Sequence, residues 1–407
     1  MPHSTTPHAP APALTMPIIL LMSAASGLTV ASNYYAQPLL HTIGQQFGLT
    51  ETASGSIVMT AQLSYALGLM LIVPLGDLLE RRALISLMTL LSAAGLLISG
   101  FSTSFPMLLT GTAITALLSV VAQILVPFAA TLAAPHQRGK AVGTVMSGLL
   151  LGILLARTLA GGLASLGSWR IVYWVASVLM LLTAAALWRV LPRYKNPTHL
   201  NYLGLLTSIF QLYAREPLFR ARSLLGGLVF ALFSMLWTPL TFLLANSPYS
   251  YQDSTIGLFG LAGAAGAFAA NRFGRLSDRG LGNVATRVGF ALLLVSWLLL
   301  WLGQTSLTAL LTGVILLDMM IQAVHVTNQT AIYRLQPDAR SRLTAGYMTS
   351  YFIGGAAGSL ASSALYAAGG WHAVAAGGVA VSVIGLLYAL WSRSARIPET
   401  PSSPPRV

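Results

Sequence analysis

Long apolar runs alternate with short polar gaps along almost the whole chain. A run of about 20 apolar residues is long enough to cross the hydrocarbon core of a bilayer as a helix. Because lipid offers the backbone no hydrogen bonds, open strands are excluded and each run must be helical. The pattern therefore predicts an all-α integral membrane protein with about twelve transmembrane helices, near positions 17–37, 54–76, 83–101, 106–133, 141–165, 170–190, 222–245, 254–273, 285–303, 306–333, 343–367 and 372–391.

The polar gaps of the first half recur in the second half. Asp278 lies 201 positions after Asp77, each in a short basic loop, and Trp371 lies 202 positions after Trp169, each following a glycine-containing turn. A parallel repeat of this length in an apolar chain is typical of membrane transporters built from two similar bundles. We therefore expect two pseudo-symmetric six-helix bundles (6+6).

The longest polar gap separates the two halves. It contains an amphipathic stretch, Tyr202 to Leu206, which predicts a short helix on the inner membrane surface, with a plain disordered loop as the alternative. The predicted organisation is a disordered N-terminal tail (1–15), an N-terminal six-helix bundle (16–190), a cytoplasmic linker (191–221), a C-terminal six-helix bundle (222–392) and a cytoplasmic C-terminal tail (393–407).

Basic residues fall almost entirely into alternate gaps. If the N-terminus is cytoplasmic, 20 of the 22 Lys and Arg residues lie on the cytoplasmic side, and only Arg157 and Arg170 do not. Cytoplasmic loops of membrane proteins carry such an excess of positive charge. The distribution predicts that both termini are cytoplasmic and supports an even number of spans.

The chain is poor in charged residues and free of cysteine. It is 55% hydrophobic and 8% charged, whereas a soluble domain carries about 25% charged residues, so most of its surface is expected to face lipid. A net charge of +13 would suggest a nucleic-acid partner in a soluble protein, but here the basic residues lie in the membrane gaps, and we expect none. Without cysteine there is no disulfide or thiolate chemistry.

The sequence lacks the residue patterns of enzymes. It has no paired catalytic carboxylates, no metal-spaced histidine cluster and no nucleophile elbow, so we expect neither catalysis nor a metal. It also lacks a glycine-rich nucleotide loop with a lysine. By elimination the expected driving force is an ion gradient, with no bound cofactor.

Several motifs carry a resemblance to a known family. The segment Gly274 to Gly280 fits the loop pattern G-x-L-[S/A]-D-[R/K]-x-G, whereas the first copy has Val73 and Glu80 where glycines are usual. Together with the segment 33–40, the Arg157 region and the residues around Asp318, these motifs resemble the drug/proton-antiporter-like efflux branch of the major facilitator superfamily. The resemblance implies a monomeric transporter of the bacterial inner membrane that exports a small organic solute in exchange for protons.

The loop motif has a physical role. A carboxylate at a helix end can bind guanidinium groups and the N-terminus of a neighbouring helix, in contacts that form in one state and break in another. We interpret the loop charges as gating residues, with interfacial charge of no specific role as the alternative: Asp77, Arg81, Arg82, Asp278 and Arg279.

Two charges are predicted to lie inside the membrane, Arg157 and Asp318. Arg157 follows Lys140 by 17 residues and Asp318 precedes Arg334 by 16, so the two lie about 25 and about 24 Å from the same side. Intramembrane charges are costly and mark functional sites. We interpret Arg157 as an ion-pair partner of Asp318 or a substrate anchor, with a purely structural ion pair as the alternative.

A polar stripe follows Asp318 on its helix. Gln322, His325 and Gln329 come 4, 7 and 11 residues later, on one helical face. A carboxylate and an imidazole on one wetted face can carry protons, so we predict proton coupling at Asp318 and His325. The alternative for His325 is a hydrogen-bonded packing residue.

Other polar and aromatic residues of the predicted cavity helices are candidates for solute binding through stacking and hydrogen bonds. Together they suit a moderately apolar, neutral or cationic solute better than a phosphate. The alternative for Tyr34 and Tyr35 is the outer aromatic belt of the membrane. The candidates are Asn33, Tyr34, Tyr35, Gln37, Gln62, Tyr65, Gln123, Gln322, Gln329, Tyr347 and Tyr351.

Glycines at helical spacing predict close helix packing, because helices without Cβ atoms can approach each other. They lie in three predicted spans: Gly143, Gly148 and Gly152; Gly257, Gly260, Gly263 and Gly266; Gly354, Gly355 and Gly358.

Proton-coupled efflux is the function that the sequence favours. Two alternatives stay open: a proton symporter or uniporter that imports a nutrient, and a non-transporting membrane sensor or scaffold.

Overall fold

The computed structural model describes residues 15–195, 201–263, 281–336 and 340–391, and within these ranges all regular structure is helical. The predicted all-α fold is therefore confirmed. The α-helices are α1 Met16–Ala31, α2 Leu40–Phe47, α3 Glu51–Leu71, α4 Leu75–Leu78, α5 Arg81–Gly100, α6 Phe105–Leu118, α7 Val121–Leu132, α8 Arg138–Ala164, α9 Arg170–Val190, α10 Tyr202–Arg215, α11 Pro217–Trp237, α12 Leu240–Ala245, α13 Asp253–Leu258, α14 Gly282–Leu302, α15 Leu307–Tyr333 and α16 Arg340–Trp391. Short 3-10 helices cover Gln37–Leu39, Pro135–Gln137 and Phe259–Gly263.

Among the described residues, nine helical stretches are long and apolar enough to cross a membrane. The longest, α16, has 52 residues and is interrupted at Gly369 and Gly370, where a φ of 64° at Gly370 suits a residue without a Cβ. It therefore supplies two of the predicted spans. The shorter α1 matches the first span, and the predicted span 254–273 continues beyond residue 263 into a part of the chain outside the described residues.

The first span was predicted too long. Helix α1 ends at Ala31, six residues before the predicted end, and the chain turns before the 3-10 helix Gln37–Leu39. Pro38 accounts for part of the difference, because its ring disfavours a continuous α-helix through the preceding turn.

Polar side chains at helix starts satisfy backbone N–H groups that have no partner inside the helix. Thr50 accepts from the amide of Ala53 at the start of α3, and Ser306 accepts from the amide of Ala309 at the start of α15. Glu80 caps α5 by accepting from two backbone amides, at 2.9 and 3.1 Å.

Glycine contacts repeat in the two halves. A Cβ at Gly152 of α8 would clash with the backbone of Gly27 in α1, and a Cβ at Gly354 of α16 would clash with the backbone of Gly227 in α11. The members of these two crossings are 200 and 202 residues apart, which matches the spacing of the sequence repeat. The packing prediction is wrong for Gly143, which faces open space.

Candidate functional site

A cavity of about 1150 Å³ lies between the two halves of the molecule. Its deep part is lined by Arg157 and Asp318, and from there it extends past Arg81 to the exposed Ser341. Leu205 and Ile209 of α10 line it as well. The cavity thus reaches the end of the molecule that carries the linker helix, which we call the linker end.

At the opposite end, hydrogen bonds join the two halves. Thr42 donates to the Asp253 carboxylate at 2.7 Å, and the hydroxyl of Thr241 donates to the carbonyl of Pro38 at 3.2 Å. Deeper in the membrane, Ser359 donates to the carbonyl of Gly55 at 3.1 Å. These contacts close the end that lies away from the linker. The role of Asp253 was missed, because its position at a helix start reads as ordinary loop polarity.

The two predicted intramembrane charges contact the same indole. The guanidinium carbon of Arg157 in α8 lies 4.1 Å from the ring centre of Trp237, and the Trp237 N–H donates to Oδ1 of Asp318 at 3.2 Å. Tyr34 and Phe233 also face the guanidinium, at 5.0 and 5.3 Å. The indole therefore connects a cation from one half to an anion from the other through a cation–π contact and a hydrogen bond.

Arg157 and Asp318 do not form a direct ion pair in this state. Within the described ranges, a direct ion pair is found between Arg81 and Asp77, at 3.1 Å. Arg157 instead donates from Nε to Gln37 at 2.6 Å, and both charged side chains are buried, at 3% and 5% exposure.

The stripe that follows Asp318 faces the cavity. Gln322, His325 and Gln329 of α15 all line it. His325 lies 3.1 Å from the hydroxyl of Tyr347 through Nδ1, and its ring centre is 4.6 Å from that of Tyr351. The imidazole therefore contacts both the cavity and a buried tyrosine.

The predicted solute-binding residues divide into two groups. Six of them line the cavity: Tyr34, Tyr65, Gln123, Gln322, Gln329 and Tyr351. The other five are buried outside its wall: Asn33, Tyr35, Gln37, Gln62 and Tyr347.

Members of the buried group contact other protein groups. The side chain of Asn33 donates to Ser119 at 2.9 Å. Gln37 accepts a hydrogen bond from Arg157, and the hydroxyl of Tyr347 is hydrogen-bonded to His325. Gln37 and Tyr347 thus contact residues of the cavity wall, although they do not line the cavity themselves. Gln62 differs, since neither of its polar side-chain atoms has a hydrogen-bond partner among the described residues.

Three aromatic residues of α11 were missed as site residues. Phe230 stacks on Tyr351 at 4.1 Å and on Phe233 at 5.1 Å, both phenylalanines line the cavity, and Trp237 contacts the two charges. In a membrane protein, phenylalanine is normally read as lipid-facing. The signal was their spacing of 3 and 7 residues from Phe230, which puts all three on one face of the helix.

One buried charge was also missed. Arg222, the first residue of the predicted span 222–245, is 1% exposed and donates to Thr286 at 2.7 Å and to Asn328 at 3.2 Å. The predicted start of this span was wrong, because α11 begins at Pro217, more than a helical turn earlier, and Arg222 therefore lies inside the helix.

The predicted gating residues are partly described. Asp77 pairs with Arg81, which also donates to the carbonyl of Gly76 at 2.9 Å, and Arg82 lies over the ring of Trp188 at 4.9 Å. Asp278 and Arg279 lie outside the described residues. Within the described ranges, no group of three His, Asp or Glu residues is placed to hold a metal.

Comparisons with known proteins agree with this architecture. A model of the Major Facilitator Superfamily matches residues 22–335. The chain is 58% identical over 380 residues to "Uncharacterized transporter YgaY" of Escherichia coli O157:H7, over 93% of this chain and 96% of the relative. It is 32% identical over 386 residues to "Probable transporter SCO4007" of Streptomyces coelicolor, over 94% of this chain and 89% of the relative.

Solved structures show the same fold. The crystal structure of a bacterial homologue of the human lysosomal transporter Spinster, in an inward-facing and unoccupied conformation, superposes with a TM-score of 0.76 at 19% identity. The match covers 94% of this chain and 98% of that one.

Proposed function

This chain belongs to the Major Facilitator Superfamily, and from that premise we propose that it exports a small organic solute in exchange for protons. It is a multi-pass membrane transporter and not an enzyme. Export, proton coupling, a bacterial inner membrane and cytoplasmic termini are the parts that we add. The linker end then faces the cytoplasm, and the cavity takes up solute from that side.

The observation that carries proton coupling is the position of Asp318. Its carboxylate lies in the cavity wall at the depth of Arg157, next to an indole N–H and on the same helical face as His325. A charged carboxylate inside a membrane is costly and is therefore by default a functional group. A carboxylate that meets the cavity can release its proton to one side when a cationic solute binds and take up a new one after the molecule has switched.

The cavity wall supports a moderately apolar solute. Aromatic rings from both halves surround its deep part, and glutamine side chains supply neutral hydrogen-bonding groups: Tyr34, Tyr65, Phe230, Phe233 and Tyr351, with Gln123, Gln322 and Gln329. Rings offer flat apolar area and attract cations, whereas a polyanion needs several cationic side chains. In the deep part the cation is Arg157, and three rings already face it.

Alternating access requires contacts that differ between states. In this state hydrogen bonds between the halves close the end away from the linker, whereas the pair of Asp77 and Arg81 lies within one half at the linker end. We propose that Asp77 and Arg81, with Arg82, Asp278 and Arg279, rearrange when the linker end closes.

The test is proton flux in everted membrane vesicles with an acidic interior, on addition of drugs, sugars, nucleosides and amino acids. We expect at least one solute to release protons with the wild type and not with Asp318→Asn. Glu216→Gln is the matched control, because it also replaces a carboxylate by an amide, but at a residue on the linker that bonds to Gln336 and lies outside the cavity. It should release protons like the wild type.

Two outcomes would contradict the proposal. Equal release by wild type and Asp318→Asn would move coupling to another group. No release with any solute, together with uptake of a labelled solute into proteoliposomes, would favour a uniporter.

A further inference from the structure

Arg157 and Asp318 face one cavity without forming a direct ion pair. Trp237 contacts both, with its ring 4.1 Å from the guanidinium carbon and its N–H 3.2 Å from the carboxylate. In a direct ion pair the two side chains would bind each other instead of a bound molecule. Here the hydrogen-bond partners of the two charges are neutral side chains, Gln37 and Trp237, so the charges attract each other through space without direct contact.

Arg157 has a donor that no described residue uses. Its Nε is fixed by Gln37 at 2.6 Å, but Nη2 makes no hydrogen bond within the described ranges, although the atom is shielded from solvent. The Arg157 side chain is 3% exposed and lines the cavity. Since buried donors of charged groups are almost always paired, this one is suited to an acceptor supplied by a bound molecule.

Glycines leave room beside both charges. A Cβ at Gly263 would lie 3.1 Å from Oδ2 of Asp318, and a Cβ at Gly260 would lie 2.9 Å from the Cβ of Arg157. A larger residue at either glycine position would press on one of the two side chains. Oδ2 of Asp318 thus faces a glycine that has no side chain, while Oδ1 accepts the indole N–H.

We propose that the deep cavity binds an amphoteric solute, with a cationic nitrogen on Asp318, an acceptor oxygen of carboxylate type on Arg157 and an aromatic or apolar body against Phe230 and Tyr351. The proposal rests on the proposed function only in taking the cavity as the solute site. The positive and negative ends of one molecule then bind the two protein charges, which make no direct ion pair with each other in this state.

The experiment measures binding by calorimetry to the full chain in lipid nanodiscs, with no gradient. The probes are phenylalanine and the dipeptide phenylalanyl-phenylalanine, each as the zwitterion, the C-terminal amide and the N-acetyl acid. We expect at least one of the two zwitterions to bind about tenfold or more tightly than both of its capped forms, because truncating one partner of a buried charge pair is costly. In Arg157→Gln the zwitterion and the amide should bind alike, and in Asp318→Asn the zwitterion and the N-acetyl acid should bind alike.

The control variant Glu216→Gln should keep the wild-type order of affinities for the zwitterion and its capped forms. Arg157→Lys keeps the charge and should retain part of the preference, which separates a role in binding from loss of folding. Two results would overturn the proposal: wild-type protein that binds neither zwitterion more tightly than its capped forms, or Arg157→Gln and Asp318→Asn proteins that keep the wild-type order of affinities. This binding experiment applies no gradient and does not depend on proton coupling. If the protein prefers zwitterions here but releases no protons in the vesicle assay, the proposed function is wrong and this inference stands.

Discussion

Glu80 shows how one residue ties the loop motif to the linker. It stands where the resembled family usually has a glycine, and its carboxylate accepts from the amides of Arg82, Ala83 and Tyr194. Tyr194 in turn accepts from the amide of Arg81 through its carbonyl, at 2.8 Å, and offers its ring to the Arg81 guanidinium at 5.3 Å. The departure from the family pattern therefore adds a helix cap and fixes the start of the linker.

The cap predicts a stability effect. Glu80→Ala removes the acceptor of three backbone amides and should lower the free energy of unfolding by about 1–2 kcal/mol. Unfolding in mixed micelles with increasing SDS measures it. Glu80→Gln keeps one acceptor oxygen and should lose less, and equal stability of Glu80→Ala and the wild type would show that the cap contributes nothing.

At this scale the sequence reveals charges better than it reveals their partners. Asp318 and its stripe could be found because polar residues at 4, 7 and 11 positions are conspicuous in an apolar helix, and all of them line the cavity. The spacing of Trp237 from Phe230 places it on the aromatic face of its helix, but it does not reveal that the indole contacts Arg157 and Asp318. Its contacts depend on how α11 packs across both halves, which no local pattern encodes.

Helix α10 connects the two halves across the linker end. Tyr202 donates to the carbonyl of Leu71 in α3 at 2.8 Å, and Tyr213 donates to the carbonyl of Gly346 in α16 at 2.7 Å. Its buried face contributes Leu205 and Ile209 to the cavity, whereas Leu203 is 66% exposed. The amphipathic pattern predicted the helix, but amphipathicity alone does not distinguish a membrane surface from a protein surface.

Helix crossings without Cβ atoms set the packing of each half. The crossing of α1 and α8 at Gly27 and Gly152 corresponds to the crossing of α11 and α16 at Gly227 and Gly354. The repeat in the sequence is thus a repeat of close backbone contacts, which permit the helices to pack by van der Waals contact where lipid provides no hydrophobic drive.

These crossings predict a contrast between two glycines of one helix. Gly152→Ala places a methyl group against the Gly27 backbone, which cannot move aside like a flexible side chain, and should destabilise the protein by about 1–3 kcal/mol. Gly162→Ala in the same helix meets nothing within 4 Å and should be neutral or slightly stabilising. Thermal unfolding in detergent compares them, and equal midpoints would count against the packing account.

On the scale of the whole molecule, the bilayer made the fold predictable. Lipid leaves the backbone few options, so run length, charge placement and the repeat together predicted an all-helical 6+6 architecture, which is confirmed. The state of the molecule was not predictable, because run length, charge placement and the repeat carry no information about which end of the cavity is closed. The hydrogen bonds between the halves, such as those of Thr42 with Asp253 and of Ser359 with Gly55, show which end is closed here.

The most direct test of proton-driven export is solute accumulation in proteoliposomes under an imposed pH difference, with the solute that releases protons in the vesicle screen. Wild-type protein should concentrate this solute on the acidic side, against its own gradient, and Asp318→Asn should only equalise it or fail to move it. Accumulation on the alkaline side would show symport. Equal concentrations at every pH difference would show a uniporter, and either result would contradict the account.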